Sequence, residues 1–397
     1  MKSQATRSLC KSLVLILLLT VLFILYLLFK PGNSAWTTLV DNLIQGLLEG
    51  VGLLLTLPLF LQRHHRRTPA PESSLSRSVP SPTMQRWVPL LLGLGILSYL
   101  IGQTLWTYNE NIAHLAVLFP SWADAGFLGS YPFVLLAILL LPSRALPAGT
   151  RTRIVLDGLM IMVGIVTFSW YFLLGPTILQ GADTVIGQMI GTAYPLTTLV
   201  LIFCLLLLFA SAHDREIRLV VLILSLALLI LVTTDSVYDF QQLHTLYQTG
   251  TVLDVGWPLG YMLVGLGARL LQVQLAAHPL SSSHSLARVP SEQMADPPWS
   301  ALSLWRSLIP YCSVPAVILL LVLTTSFGGK GMLEAGVYVG ITILMVLLLL
   351  RQILATRQIE RAYQEQRHLN EVKGQLFAHI NHELRSPLTT IYGSLQI

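Results

Sequence analysis

The fold class predicted for this chain is an all-α polytopic membrane protein, with about ten transmembrane helices followed by a cytoplasmic helical connector. Three observations carry the membrane part. Only 11% of the 397 residues are Asp, Glu, Lys or Arg, against about 25% in an ordinary soluble domain. Hydrophobic residues make up 54% and the mean hydropathy is +0.68. Apolar runs of the length that crosses a bilayer recur along the chain, too long and too lightly charged for core helices.

Those runs place spans near 12 to 29, 36 to 61, 87 to 106, 124 to 141, 154 to 174, 192 to 210, 219 to 238, 254 to 271, 309 to 326 and 334 to 350. Retained cytoplasmic loops are enriched in Lys and Arg. With the N-terminus inside, 22 of the 24 basic residues fall on cytoplasmic segments, and only Lys30 and Lys330 fall outside. The net charge of +5 is therefore a topology signal, and its distribution is expected to put both termini in the cytoplasm. Spread over six segments, it is no basic patch for nucleic acid.

The first span reads as an uncleaved anchor, because it is long for a signal-peptide core and "KPGNSAW" is a poor cleavage site. Cys10, Cys204 and Cys312 are too far apart for a metal-ligand spacing, so neither a zinc site nor a disulfide framework is expected. Residues 62 to 86 and 276 to 300 are rich in Pro and Ser and lack apolar periodicity, as linkers do. In the first of them His64 and His65, beside Arg66 and Arg67, read as a solvated juxtamembrane cluster. The second sets the division into modules: a multi-pass sensory module over 1 to 275, a cytoplasmic linker over 276 to 308, and two further spans over 309 to 350. A coiled-coil-like connector over 351 to 376 and a last segment over 377 to 397 follow.

Carboxylates in spans are costly and mark functional candidates. Asp124, Asp235, Asp239 and Asp254 all fall at the extracytoplasmic ends of their spans, at one level with Trp122, Tyr131, Trp170, Tyr194, Tyr238 and Trp257. Two readings stay open: a recess for a cation or small amphiphile, or carboxylates in headgroup water within an ordinary aromatic belt. Asp157 is expected to reach interfacial water, or Arg151 or Arg153. "GSYPF" from Gly129 and "GTAYPL" from Gly191 suggest a weak internal duplication, with Pro132 and Pro195 in the first turns of their spans. The Gly pairs of "LLGLGIL" and "LVGLGARL" suit close helix packing rather than a nucleotide loop.

The phrases "WADAGFLGSYPF", "LDGLMIMVGIVTFSWYFLLGP", "TAYPLTTLVL", "TTDSVYDF" and "LDVGWPLGYMLVGLGA" resemble a multi-pass bacterial sensory module found ahead of diguanylate cyclases and histidine kinases. The likeness covers roughly residues 87 to 275 and implies sensing without naming a ligand.

From Phe377 the chain reads "FAHINHELRSPLTTIYGSLQI". At about 100° per residue, Ile380, Leu384, Leu388 and Ile391 share one narrow helix face and His382 lies about 160° from its centre. A histidine so placed is solvent-facing, and an imidazole with one ring nitrogen held by an acceptor is a good nucleophile at the other. "NHELRSPL" closely resembles the phosphoacceptor motif of sensor histidine kinases. The resemblance implies that His382 takes the γ-phosphoryl of ATP, with Mg, and that Glu383 orients it as general base. It also implies that residues 377 to 397 are an incomplete phosphoacceptor domain, the first helix of a dimerisation and histidine-phosphotransfer domain, with a homodimer and a response regulator receiver domain as partners.

Asn381 and Ser386 depart from the family's commonest residues. Ser386 stands where a Thr or Asn is thought to position water for phosphatase activity, so that activity is less secure than the kinase activity. Pro387 is expected to kink the helix. Upstream, Ile359, Ala362, Tyr363, Leu369, Val372 and Leu376 recur at three- and four-residue intervals, which suits a two-stranded parallel connector; a single amphipathic tail lying on the bilayer is the alternative. With no ATP-binding segment after Ile397, the chain is expected to be a fragment that binds no cofactor and is inactive alone. The competing class is a non-catalytic membrane receptor or transporter-like protein with a coincidental motif in its tail.

Overall fold

A computed structural model describes residues 2–30, 32, 34–57, 87–113, 120–141, 148–181, 184–211, 218–277, 301–326 and 331–394. The expected linker around His64 and His65 lies outside them, as does the linker over 278 to 300. Every regular element among the described residues is helical. In chain order these are α1 (Lys2–Phe29), α2 (Ser34–Thr56), α3 (Val88–Asn111), α4 (Trp122–Leu139) and α5 (Ala148–Ser169). A π-helical turn (Trp170–Leu174) joins α5 to α6 (Gly175–Gln180). Then come α7 (Val185–Ser211), α8 (Arg218–Leu243), a 3₁₀ turn (Val252–Val255), α9 (Gly256–Ala277), α10 (Ala301–Ser326) and α11 (Gly331–Ser394).

Eight stretches, one each in α1 to α4, α7, α8 and α11 and one across α5 to α6, are long and apolar enough to cross a bilayer. The expected spans at 254 to 271 and 309 to 326 are helical but stand outside that set. Tyr311–Ser326 is apolar and short. In α9, Arg269 and Gln272 lower the hydropathy, which the fold tolerates because this helix is enclosed by protein, with residues 260 to 268 all buried.

The main core surrounds α9, which packs against α2, α8, α3 and α1; Val88, Ile96, Leu228, Met262 and Leu271 are among its buried residues. Close approach of α2 and α9 depends on glycine, as the paired-Gly phrase suggested. A Cβ on Gly52 would lie 2.8 Å from the Tyr261 carbonyl, and one on Gly265 would enter the Gly52 backbone. Such contacts let backbones pack where lipid supplies no hydrophobic driving force. Where α2 ends, Gln272 Nε2 donates to the Thr56 carbonyl at 2.9 Å.

A second, smaller core is formed by Leu156, Met160, Val317, Leu344 and Leu347, from α5, α10 and α11. The fifth span therefore packs with the last two, across the division expected at residue 276. On this seam α11 presents Gly336 and Gly340, which lie against Trp170 and Thr167 with no room for a side chain. Asp157 forms an ion pair with Arg351 of α11, a partner that the sequence reading did not foresee. Helix α10 begins at Ala301, so the last eight residues of the expected linker are helical.

Pro132 and Pro195 lie well inside α4 and α7, a correction to the expectation that they open their spans. The helices start about ten residues earlier. In α4 the start is set by Asp124, whose carboxylate accepts the Ser121 backbone N–H at 2.6 Å, the carboxylate half of a capping box. The helical assignment of α11 also runs on through Pro387.

Candidate functional site

Successive helices run in opposite directions, so the start of α2, the end of α3, the start of α4, the region of α6, the start of α7 and the end of α8 meet at one end of the bundle. They enclose a cavity of about 480 Å³, within the range of small-molecule pockets. Asp124, Asp235, Asp239, Tyr131, Tyr194, Tyr238 and Trp257 line it, together with Asn42, Gln45, Tyr99, Gln103, Trp106 and Tyr247. Among the described residues, no Lys, Arg or His lines it.

The four carboxylates singled out in the sequence separate into different roles. Asp124 caps α4 through one oxygen and accepts the Tyr194 hydroxyl at 2.5 Å through the other. Asp254 precedes α9 rather than lying in it, and caps the 3₁₀ turn. It accepts the Thr251 and Gly250 N–H groups at 2.8 and 2.7 Å and the Tyr247 hydroxyl at 2.9 Å. Burial pushes its carboxyl up to about 6, and these donors oppose the rise. Asp235 accepts the Trp257 indole N–H at 2.9 Å and the Tyr131 hydroxyl at 3.1 Å. Asp239, one turn further along α8, keeps a buried Oδ2 with no hydrogen-bond partner among the described residues. Three carboxylates are thus occupied by protein donors, and one faces the cavity with an unused oxygen.

The aromatic residues divide as well. Tyr238 stands edge-on to both neighbours, with ring centroids 5.4 Å from Trp257 at 77° and 4.7 Å from Tyr247 at 79°. Trp122 is exposed at 84% and stands apart from the cavity lining. Trp170 belongs to the α5–α11 seam.

Helix α2 adds polar residues that the sequence reading passed over. Asp41, Gln45 and Glu49 are buried and spaced four apart, hence on one face. Gln45 donates to Asp41 at 2.9 Å, while both Glu49 oxygens are buried without a partner among the described residues. Glu110 at the end of α3 accepts Asn42 at 2.7 Å, Trp106 at 3.1 Å and Thr249 at 2.9 Å, and Gln103 donates to Asn42 at 3.3 Å. The signal was present in the sequence as a polar stripe, at intervals of four, inside the second span.

His382, Glu383 and Ser386 all lie on α11; their side chains are outside the described ones. The helix is continuous from Gly331 through the seam with α5 and on past these residues. It leaves the bundle at the end opposite the cavity, because α10 ends and α11 begins on the cavity side. Ile359, Tyr363, Leu369 and Val372 on this extension are exposed. Among the described residues, no group of three or more His, Cys, Asp or Glu is placed to hold a metal ion. Comparison with protein-family models, with curated proteins and with solved structures finds no match to this chain.

Proposed function

We propose that this chain is the membrane-sensing part of a two-component sensor histidine kinase, in which a signal received by the helical bundle controls phosphorylation of His382. The observation that carries the reading is α11. One helix of 64 residues contains a membrane span, several exposed apolar residues and the "NHELRSPL" motif. His382 lies 31 residues beyond Arg351, or about 46 Å along the helix at 1.5 Å per residue. A displacement of the span relative to α5 is carried along such a rod to the histidine.

Leu369 and Val372, three residues apart and both exposed, support a parallel homodimer, since apolar side chains at this spacing seek a partner helix. In the dimer His382 takes the γ-phosphoryl of ATP, Glu383 orients the imidazole and accepts its proton, and the phosphoryl group passes to a response regulator Asp. Mg-bound ATP belongs to a separate ATP-binding domain. The distribution of basic residues puts the His382 end in the bacterial cytoplasm and the cavity on the outer side, with ten helices crossing.

The test is a chimera that continues residues 1–397 into the second bundle helix and ATP-binding domain of a kinase with the same motif. Given γ-labelled ATP, it is expected to gain acid-labile, base-stable phosphate, and His382→Gln to gain none while remaining dimeric by cross-linking. Undiminished label in His382→Gln would overturn the assignment.

A further inference from the structure

We propose that the cavity at the α2–α4–α7–α8 end binds a small organic ammonium ion, with Asp239 as its counter-charge and Tyr238, Trp257 and Tyr247 forming the cage around its carbon substituents. This names a ligand class for the sensing half of the reading above. It needs no phosphoryl chemistry.

The charge of the ligand follows from the lining. Three carboxylates border the cavity and, among the described residues, no basic side chain does, so an anion or a carboxylate-bearing ligand is repelled. Asp235 and Asp239 stand one turn apart on the same face of α8, and like charges at that spacing repel. Asp235 is compensated by the Trp257 indole and the Tyr131 hydroxyl. Asp239 has no such donor, and its buried oxygen is left for a cation.

An organic rather than a metallic cation follows from the remaining walls. Hard metal ions take six or more oxygens, yet the oxygens of Asp124 and Asp235 are already engaged by protein donors. Tyr131, Tyr194, Tyr238, Tyr247 and Trp257 line the cavity together with Asp239. Tyr238 meets Trp257 and Tyr247 nearly at right angles, giving ring faces on more than one side, and such cages hold quaternary ammonium groups by cation–π attraction. The volume of about 480 Å³ leaves room for a ligand well above the size of a metal ion.

Choline and its uncharged isostere 3,3-dimethylbutan-1-ol, with methylammonium and tetramethylammonium, are titrated against the purified full chain by thermal shift and calorimetry. Choline or tetramethylammonium is expected to bind and stabilise, while the isostere has no effect at the same concentration. Asp239→Asn is expected to weaken binding at least tenfold with unchanged size-exclusion behaviour. Tyr238→Leu loses binding by a similar factor, while Tyr238→Phe, which keeps the ring, retains it. Equal binding of the isostere, wild-type affinity in Asp239→Asn, an equal response to NaCl or CaCl₂, or no response to any of the ammonium ions would overturn the proposal. None of these results bears on His382 labelling, so the two readings fail separately.

Discussion

Arg351 of α11 and Asp157 of α5 close an ion pair between the helix that carries His382 and the bundle. The Arg351 guanidinium also donates to the Tyr311 hydroxyl and lies 4.3 Å from the centroid of the Tyr311 ring, so three helices meet on one cation. Breaking a buried pair strands a charge, which costs about 3–5 kcal/mol, whereas replacing both partners leaves none. Arg351→Leu alone is therefore expected to lower the melting temperature in detergent by several degrees. Arg351→Leu with Asp157→Leu should recover most of the loss; no recovery in the double variant would show that the pair is not the stabilising contact.

The different roles of the cavity carboxylates make a second prediction. Asp124 and Asp254 cap helical segments, and loss of a cap costs about 1 kcal/mol. Asp124→Ala and Asp254→Ala should each reduce thermal stability without ligand, while Asp239→Asn should not. A destabilisation by Asp239→Asn as large as that of the cap variants would mean its carboxylate has a structural partner.

Glu49 is fully buried and both its oxygens lack a partner among the described residues. Removing an uncompensated polar group of this kind while keeping its volume is commonly neutral or stabilising, by about 1–3 kcal/mol. Glu49→Met should raise the melting temperature. A clear fall would reveal a bond that Glu49 makes in the membrane.

Gly336 and Gly340 let α11 approach Trp170 and Thr167. Leucine at either position must push the helices apart. Protease resistance of the α5–α11 contact should fall in Gly336→Leu, and cysteine pairs placed across the seam should cross-link more slowly. Unchanged cross-linking would mean that the two helices are not in contact in the membrane.

Topology can be read with reporter fusions. Fusions at residues 70, 148 and 290 are expected to report the cytoplasm, and those at 115, 180 and 246 the outside. Two or more reversals would reject the ten-span arrangement.

Helix positions were legible in the sequence because apolar length is written directly into composition, and the level shared by Asp235, Asp239, Tyr238 and Trp257 followed from the spans alone. Which carboxylate was free was not legible. Asp124 and Asp254 each stand three residues after a Ser or Thr, in "SWAD" and "TVLD", a capping signature that would have assigned them to helix starts. The bonds of Asp235 to Tyr131 and Trp257 cross between helices, and no local pattern encodes them. The partner that Asp157 finds in Arg351, 194 residues away, was not legible either, because it depends on α11 packing beside α5. Glu49 was hidden by its neighbours, since a mainly apolar stretch such as "LLEGVGLLLT" reads as span whatever a single carboxylate within it does.

The π-helical turn at Trp170–Leu174 has a consequence for how one rod serves two neighbours. On an unbroken α-helix, residues seven apart differ by roughly 20° and face the same way, so Trp170 and Thr177 would look in one direction. A π turn contains one residue more per turn, and that residue shifts everything beyond it by roughly a quarter of a turn. Trp170 can then lie on Gly336 of α11 while Thr177 and Gln180 close the wall of the cavity. Removing a single residue from "WYFLL" would return the segment to α-helical phase, swing Thr177 and Gln180 away from that wall, and lift Gly175 from Leu333 of α11.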